Sequence, residues 1–224
     1  MRAFCLLILL CTAVVRGQVE VEGTFRRSTF EELLASYPLE DYVVLPPIDN
    51  EYLREQAEAE DFVSHPHPRW FAHAVHIPSL NMQTKGRWSV IECNGRLVRK
   101  WHMAIASPGA VTLSLLFNDF YLPRGSEFYV IGQGRTAGAF TGPINNKEDH
   151  HFAVAPINGD VVFLEYITSV PEDLEASTDD YRLEPHIEVW KVVHGFRSIY
   201  QFFPAQDGFH TKKSIREQLR IIEK

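Results

Sequence analysis

Ile105-Ala106-Ser107-Pro108-Gly109-Ala110, Leu113 through Phe117, Phe120-Tyr121-Leu122-Pro123-Arg124-Gly125, Phe128 through Ile131, Gly138-Ala139-Phe140-Thr141, Pro156-Ile157-Asn158-Gly159-Asp160 and Phe163-Leu164-Glu165-Tyr166 follow one another between Trp101 and Tyr166. Four of these seven words carry a Pro, Gly or Asn that breaks the apolar run, and the other three are the short runs between such breaks. Apolar segments of this length, cut at short intervals by turn residues, read as strands rather than helices. The segment Ala110 to Phe117 is the clearest: Val111, Leu113, Leu115 and Phe117 alternate with Thr112 and Ser114.

The same period extends in both directions. Trp70, Ala72, Ala74 and Val75-His76-Ile77 predict a first strand. Arg87 to Cys93 and Arg96 to Met103 flank Asn94-Gly95, a two-residue hairpin signal. Phe128 to Ile131 follows the Pro123-Arg124-Gly125 turn, Gly132-Gln133-Gly134 reads as another turn, and a short strand carries Ala139-Phe140-Thr141. His151 to Ala155 and Asp160 to Thr168 are expected to form a hairpin about Asn158-Gly159, and Ile187 to His194 a final strand. The predicted fold is mainly β, an antiparallel β-sandwich over residues 69–197. Jelly-roll closure is compatible with this pattern, but periodicity does not select it. Trp70, Trp88, Trp101, Phe117, Phe128, Phe140, Phe152 and Phe163 are the expected core fillers, each burying a large apolar area. An aromatic platform for sugars is the functional alternative for one or two of them.

Outside this region the pattern changes. Arg2, the apolar run Phe4 to Val15 and the Val15-Arg16-Gly17 end predict a signal peptide over residues 1–17. The run is shorter than the ~20 apolar residues a membrane span needs. Residues 18–68 predict an acidic N-terminal arm. Ser28-Thr29-Phe30-Glu31 is a capping-box pattern for a helix through Ala35, and Asp49 or Asn50 caps a second helix through Glu60 with Leu53 and Ala57 on one face. Pro38 and Pro46-Pro47 call for extended chain between the two. In the tail, residues 198–224, Ile215, Leu219 and Ile222 recur at helical spacing among Lys and Arg, predicting a C-terminal amphipathic helix.

The 224-residue chain carries a formal net charge of −7. Loss of residues 1–17 removes Arg2 and Arg16 and no acid, which moves it to −9. An acidic surface repels phosphate backbones, so nucleic acid is not an expected partner. Cys5 and Cys11 leave with the signal, and Cys93 alone remains. It is expected either as a buried strand-end thiol or as half of an intermolecular disulfide.

Candidate chemistry is sparse. No Gly-Asp-Ser-Gly run or Gly-x-Ser-x-Gly elbow accompanies the ten histidines, so no catalytic residue is assigned and the chain is read as a non-enzyme. His65 and His67, His73 and His76, and His150-His151 are metal donors without a recognised zinc spacing. Asn145-Asn146-Lys147-Glu148-Asp149 and residues 172–180 offer oxygens without an EF-hand pattern. No metal or cofactor is assigned. Glu165 is read as a strand residue on a polar face or buried with a partner.

Trp88 through Trp101, Ser107-Pro108-Gly109-Ala110, Leu122-Pro123-x-Gly125, Gly138-Ala139-Phe140-Thr141, Asn145-Asn146, Pro156-Ile157-x-Gly159-Asp160, Leu164-Glu165-Tyr166 and Val192-Val193-His194-Gly195-Phe196-Arg197 also carry a resemblance. Residues 69–197 resemble the β-rich N-terminal region that precedes the catalytic domain in secreted lysyl-endopeptidase-like (trypsin-fold) serine proteases. In those proteins the His-Gly-aromatic-Arg word leads into a cysteine-bearing segment and the protease. From Ser198 onward this chain departs from that pattern, so no catalytic residue of the family is carried over.

The resemblance implies a secreted, extracellular accessory domain that acts by binding. Its expected partner is a protease domain, another extracellular protein or an extracellular matrix. Two alternatives stand beside it: a truncated product of a serine endopeptidase gene with a prosegment-like role, and a structural component of an extracellular, mineralised matrix.

Overall fold

The computed structural model describes residues 18–62, 69–93, 95–170 and 184–198. The expected signal peptide, the His65/His67 pair, the acidic run at 172–180 and the C-terminal helix lie outside them. The elements are α1 (Phe30–Ser36), β1 (Val43–Val44), α2 (Asn50–Asp61), β2 (Ala72–Asn81), β3 (Arg87–Cys93), β4 (Arg96–Ala106), β5 (Thr112–Tyr121), β6 (Ser126–Gly132), β7 (Arg135–Phe140), α3 (Gly142–Asn145), β8 (Phe152–Asn158), β9 (Val161–Ser169) and β10 (His186–Gly195). No described helix is long and apolar enough to cross a membrane.

The chain is mainly β. One sheet runs β1-β4-β9-β6-β7 with β3 also on β4, and the other runs β2-β10-β5-β8. All pairings are antiparallel except β1 with β4, where Val43 and Val44 lie parallel to Ile105 and Ala106, so the first sheet is mixed. β3 and β4 form the expected hairpin, Cys93 opposite Arg96, with Gly95 at a φ of +75° that favours glycine.

The expected hairpin about Asn158-Gly159 does not form. β8 pairs with β5 in the second sheet, whereas β9 lies between β4 and β6 in the first. Gly159-Asp160 therefore crosses between sheets. Its backbone is anchored on both sides, Gly159 N–H to the Val111 carbonyl (2.9 Å) and Ser107 N–H to the Asp160 carbonyl (2.8 Å).

Residues from both sheets fill one core. Trp101, Met103 and Ile105 of β4, Leu113, Leu115 and Phe117 of β5, Phe128 and Val130 of β6, and Val189 and Val192 of β10 are all buried in it. Strict alternation would turn Phe120 outward, but the register slips at Asn118: Phe117 pairs with Val189 and Asp119 with Glu188. This bulge resets the period, and Phe120 joins the core, stacked on Phe152 with centroids 4.2 Å apart. Pro78 is tolerated within β2 because that strand lies at the edge of its sheet.

The N-terminal arm is a third layer. Leu33, Tyr37 and Tyr42 are buried against Ala104, Ile131, Phe163 and Ile167 on the outer face of the first sheet. Phe163 is thus a core residue of this second cluster, in edge contact with Phe30, Tyr37 and Tyr42. The cap of α1 is Thr29, with Glu32 returning its side chain to the Thr29 N–H, one residue later than the Ser28 and Glu31 placement. A 3-10 turn at Leu39–Asp41 interrupts the extended chain expected after Pro38. Helix α2 has the expected cap and face and runs one residue past the expected Glu60: Asp49 caps it, and Leu53 and Ala57 bury against Phe196.

Candidate binding surface

Three polar clusters and one exposed surface bring chemistry-bearing residues together. On the outer face of the first sheet, two buried carboxylates clamp the arm. Glu165 Oε1 accepts from Lys100 Nζ (2.9 Å), His102 Nε2 (2.9 Å) and the Ser28 hydroxyl (2.6 Å), and Oε2 accepts from the Ser28 N–H at 3.0 Å. Burial opposes ionisation of Glu165, but the His102 bond, the Lys100 charge and Ser28 outweigh it and hold the carboxyl down to about 2. Glu127 repeats the arrangement, accepting from the Thr24 hydroxyl (2.7 Å) and the Tyr129 hydroxyl (2.7 Å). Of the two readings open for Glu165, the structure selects burial with partners. Its partners Lys100, His102 and Ser28 sit 65, 63 and 137 residues away, distances no local pattern spans.

The second cluster is serine-histidine-asparagine. The Ser107 hydroxyl lies 2.7 Å from His194 Nδ1, and His194 Nε2 lies 2.8 Å from Asn50 Oδ1. The geometry makes Nε2–H the donor to Asn50 and leaves Nδ1 to accept from Ser107. Burial, followed by the neighbouring His73, pushes the imidazole down to about 4, so it is neutral. Ser107 and His194 are both 0 % exposed. A nucleophile with its base needs a place for a reacting carbonyl, and full burial of both groups provides none. Asn50 Nδ2 donates to the Gly109 carbonyl at 2.7 Å, so the chain of bonds joins α2, β10 and the turn after β4. The His-Gly-Phe-Arg word that closes the resemblance is structural here. Phe196 is buried under α2, and Arg197 bonds the Trp70 carbonyl and Asp61.

The third cluster lies where β5 ends and β10 begins. Asp119 accepts from His150 Nδ1 (2.7 Å) on one oxygen and His186 Nδ1 (2.9 Å) on the other. Burial raises its carboxyl, yet the two imidazole bonds hold it below the usual range. Sequence reading singled out His150 but not its partners. Asn145 and Asn146, read as candidate cation oxygens, are committed to the backbone. Asn145 Oδ1 accepts from Thr141 N–H, and Asn146 bonds both the N–H and the carbonyl of Leu122 at 2.9 Å. No group of three or more His, Cys, Asp or Glu suited to a metal occurs among the described residues. His73 pairs across from His194, and the His76 ring packs edge-on against Trp190.

The exposed surface is the β3–β4 hairpin. Trp88, expected in the core, is 41 % exposed, with Arg99 stacked over its ring at 4.6 Å. β3 is an edge strand that pairs only with β4 among the described residues, so Trp88 meets Tyr166 edge-on (centroids 5.9 Å apart) and leaves its other side open. Val90, Ile91 and Leu97 are exposed beside it. Cys93, at the end of β3, is a half-buried free thiol rather than a fully buried one. An open groove of about 530 Å³ runs between the arm and the outer face of β3, lined by Arg27, Tyr37, Arg87, Ser89, Ile91 and His102. On the inner face a smaller hollow of about 250 Å³ touches Lys85, Trp88, Arg99 and Glu184. Comparison of the chain with family models and with curated proteins gave no match.

Proposed function

We propose that this chain is a secreted, non-catalytic β-sandwich that works by binding, an accessory module of the kind found ahead of the catalytic domain in lysyl-endopeptidase-like serine proteases. The observation that carries the binding reading is a contrast in exposure. Ser107 and His194 are sealed from solvent, whereas four large apolar side chains stand exposed on one hairpin. Clustered exposure of this kind marks interaction surfaces in folded proteins.

The sandwich reading draws on the strand orders. With β3 set aside as a hairpin extension of β4, β2-β10-β5-β8 facing β4-β9-β6-β7 is the connectivity of an eight-stranded jelly roll. Secretion draws on the basic start and apolar run of residues 1–17.

The test is direct. Purified protein is incubated with lysine-containing peptides, with and without serine-directed inhibitors. No turnover above buffer is expected. Saturable cleavage abolished by the inhibitor would overturn the non-catalytic reading.

A further inference from the structure

We infer that the free edge of β3 is a docking strand for an acidic, extended polypeptide segment of another protein, which adds to the first sheet as one further strand. The inference rests on the binding reading above and names the partner class for that surface. Three independent features point to it.

The first is the edge itself. β3 pairs only with β4, over all seven residues from Arg87↔His102 to Cys93↔Arg96, and among the described residues its other side pairs with nothing. An unpaired strand offers a row of backbone donors and acceptors, and a strand supplied in trans satisfies them. Native edge strands are usually short, bulged or covered. This one is regular in register, and Arg87 through Glu92 are all exposed.

The second is side-chain chemistry. Trp88 and Val90 are strong strand formers and project on the inner face, where Leu97 and Arg99 of β4 lie beside them. Arg87, Ser89 and Ile91 project on the outer face into the groove beneath the arm. An incoming strand therefore meets Trp88, Val90 and Glu92 on the inner face and Arg87, Ser89 and Ile91 on the outer.

The third is charge. Between Lys85 and Lys100 the sequence carries Lys85, Arg87, Arg96, Arg99 and Lys100 against the single acid Glu92, within a chain whose net charge is −7. Lys100 is neutralised by Glu165 and Arg87 is bonded to Asp41, while Arg96 and Arg99 are exposed on the hairpin surface. A basic island on an acidic protein steers acidic partners and repels basic ones. Arg96 lies on the outer face with Arg87, and Arg99 on the inner face over Trp88, so the fitting segment alternates apolar residues set against Trp88 and Val90 with acids set toward Arg87 and Arg96.

The experiment uses the full chain and three labelled synthetic heptapeptides: Glu-Val-Glu-Val-Glu-Val-Glu, its Lys-Val counterpart, and the Glu-Val peptide with its central Val replaced by Pro. Fluorescence anisotropy is expected to show the Glu-Val peptide binding about tenfold more tightly than the other two, with the gap over Lys-Val shrinking as salt rises. Hydrogen exchange is expected to slow at β3 amides on binding. The double variant Arg96→Glu/Arg99→Glu, both positions exposed, is expected to fold normally and to reverse the preference toward Lys-Val. Equal affinity for the Glu-Val and Lys-Val peptides, or binding without protection of β3, overturns the inference. So does concentration-dependent dimerisation that protects β3 without peptide, which assigns the edge to a second copy. Protection of β3 in the free monomer, released by neutralising the acids of residues 171–183, assigns it to this chain's own segment and also overturns it. Peptide cleavage in the preceding assay would remove the binding reading on separate grounds, independent of every anisotropy outcome.

Discussion

Ser28 binds Glu165 twice, through its hydroxyl at 2.6 Å and its backbone N–H at 3.0 Å, and so pins the N-terminal arm to the outer face of the first sheet. Ser28→Ala removes a hydrogen bond to a buried charge and is expected to cost about 2 kcal/mol. Urea denaturation measures the loss. Limited trypsin digestion gives a second readout, because Arg26 and Arg27 precede the pin; cleavage there is expected to accelerate more than the global loss accounts for.

Glu165→Ala is expected to be more severe, about 3–5 kcal/mol, since it leaves the buried Lys100 ammonium without its counter-charge. The paired replacement Glu165→Leu/Lys100→Met is expected to recover part of that stability. A thermal melt in which the double variant falls below the single one would refute this account.

Acid titration separates two buried groups. A group whose pKa is lower in the folded than in the unfolded chain stabilises the fold above its unfolded value, and that contribution is lost as pH falls through its folded value. For His194 the window runs from about 6.5 down to about 4, and for Glu165 from about 4.5 down to about 2. Each window is worth on the order of 3 kcal/mol. Wild-type stability is therefore expected to decline from near neutrality, and His194→Gln to flatten the upper part of the curve only. An unchanged profile between pH 6.5 and 4.5 in that variant would refute the assignment.

Core and hairpin substitutions are expected to diverge. Phe152→Ala opens a hole among Phe117, Phe120 and Phe140 and is expected to cost about 3–5 kcal/mol. Val90→Lys, at a side chain 58 % exposed, is expected to lie within about 0.5 kcal/mol of wild type. Matched denaturation curves decide this, and a large loss from Val90→Lys would mean that the hairpin is covered.

What sequence could reveal follows the range of each signal. Asn94-Gly95 fixed its own hairpin because a two-residue turn determines the pairing of what flanks it. Asp49, Leu53 and Ala57 outlined α2 for the same local reason. Asn158-Gly159 looks alike in composition, yet its flanking strands part to different sheets, and only their partners β5 and β4 decide that. Trp88 departs from its expected core place because alternation tells which face a residue takes, not how much of that face an edge strand leaves uncovered. The Ser107–His194 and Ser28–Glu165 contacts span 87 and 137 residues, and nothing near either member announces the other.

The order of strands also bears on biosynthesis. β10 is the last strand among the described residues, yet it lies inside its sheet, between β2 and β5. A nascent chain emerging from the ribosome therefore carries β2 and β5 with facing edges open until Gly195 has appeared. Contacts closed so late and over such sequence separation are slow to form. The second sheet is completed only after nearly all of the described chain has been made, and chaperone capture before that point would act on those two waiting edges.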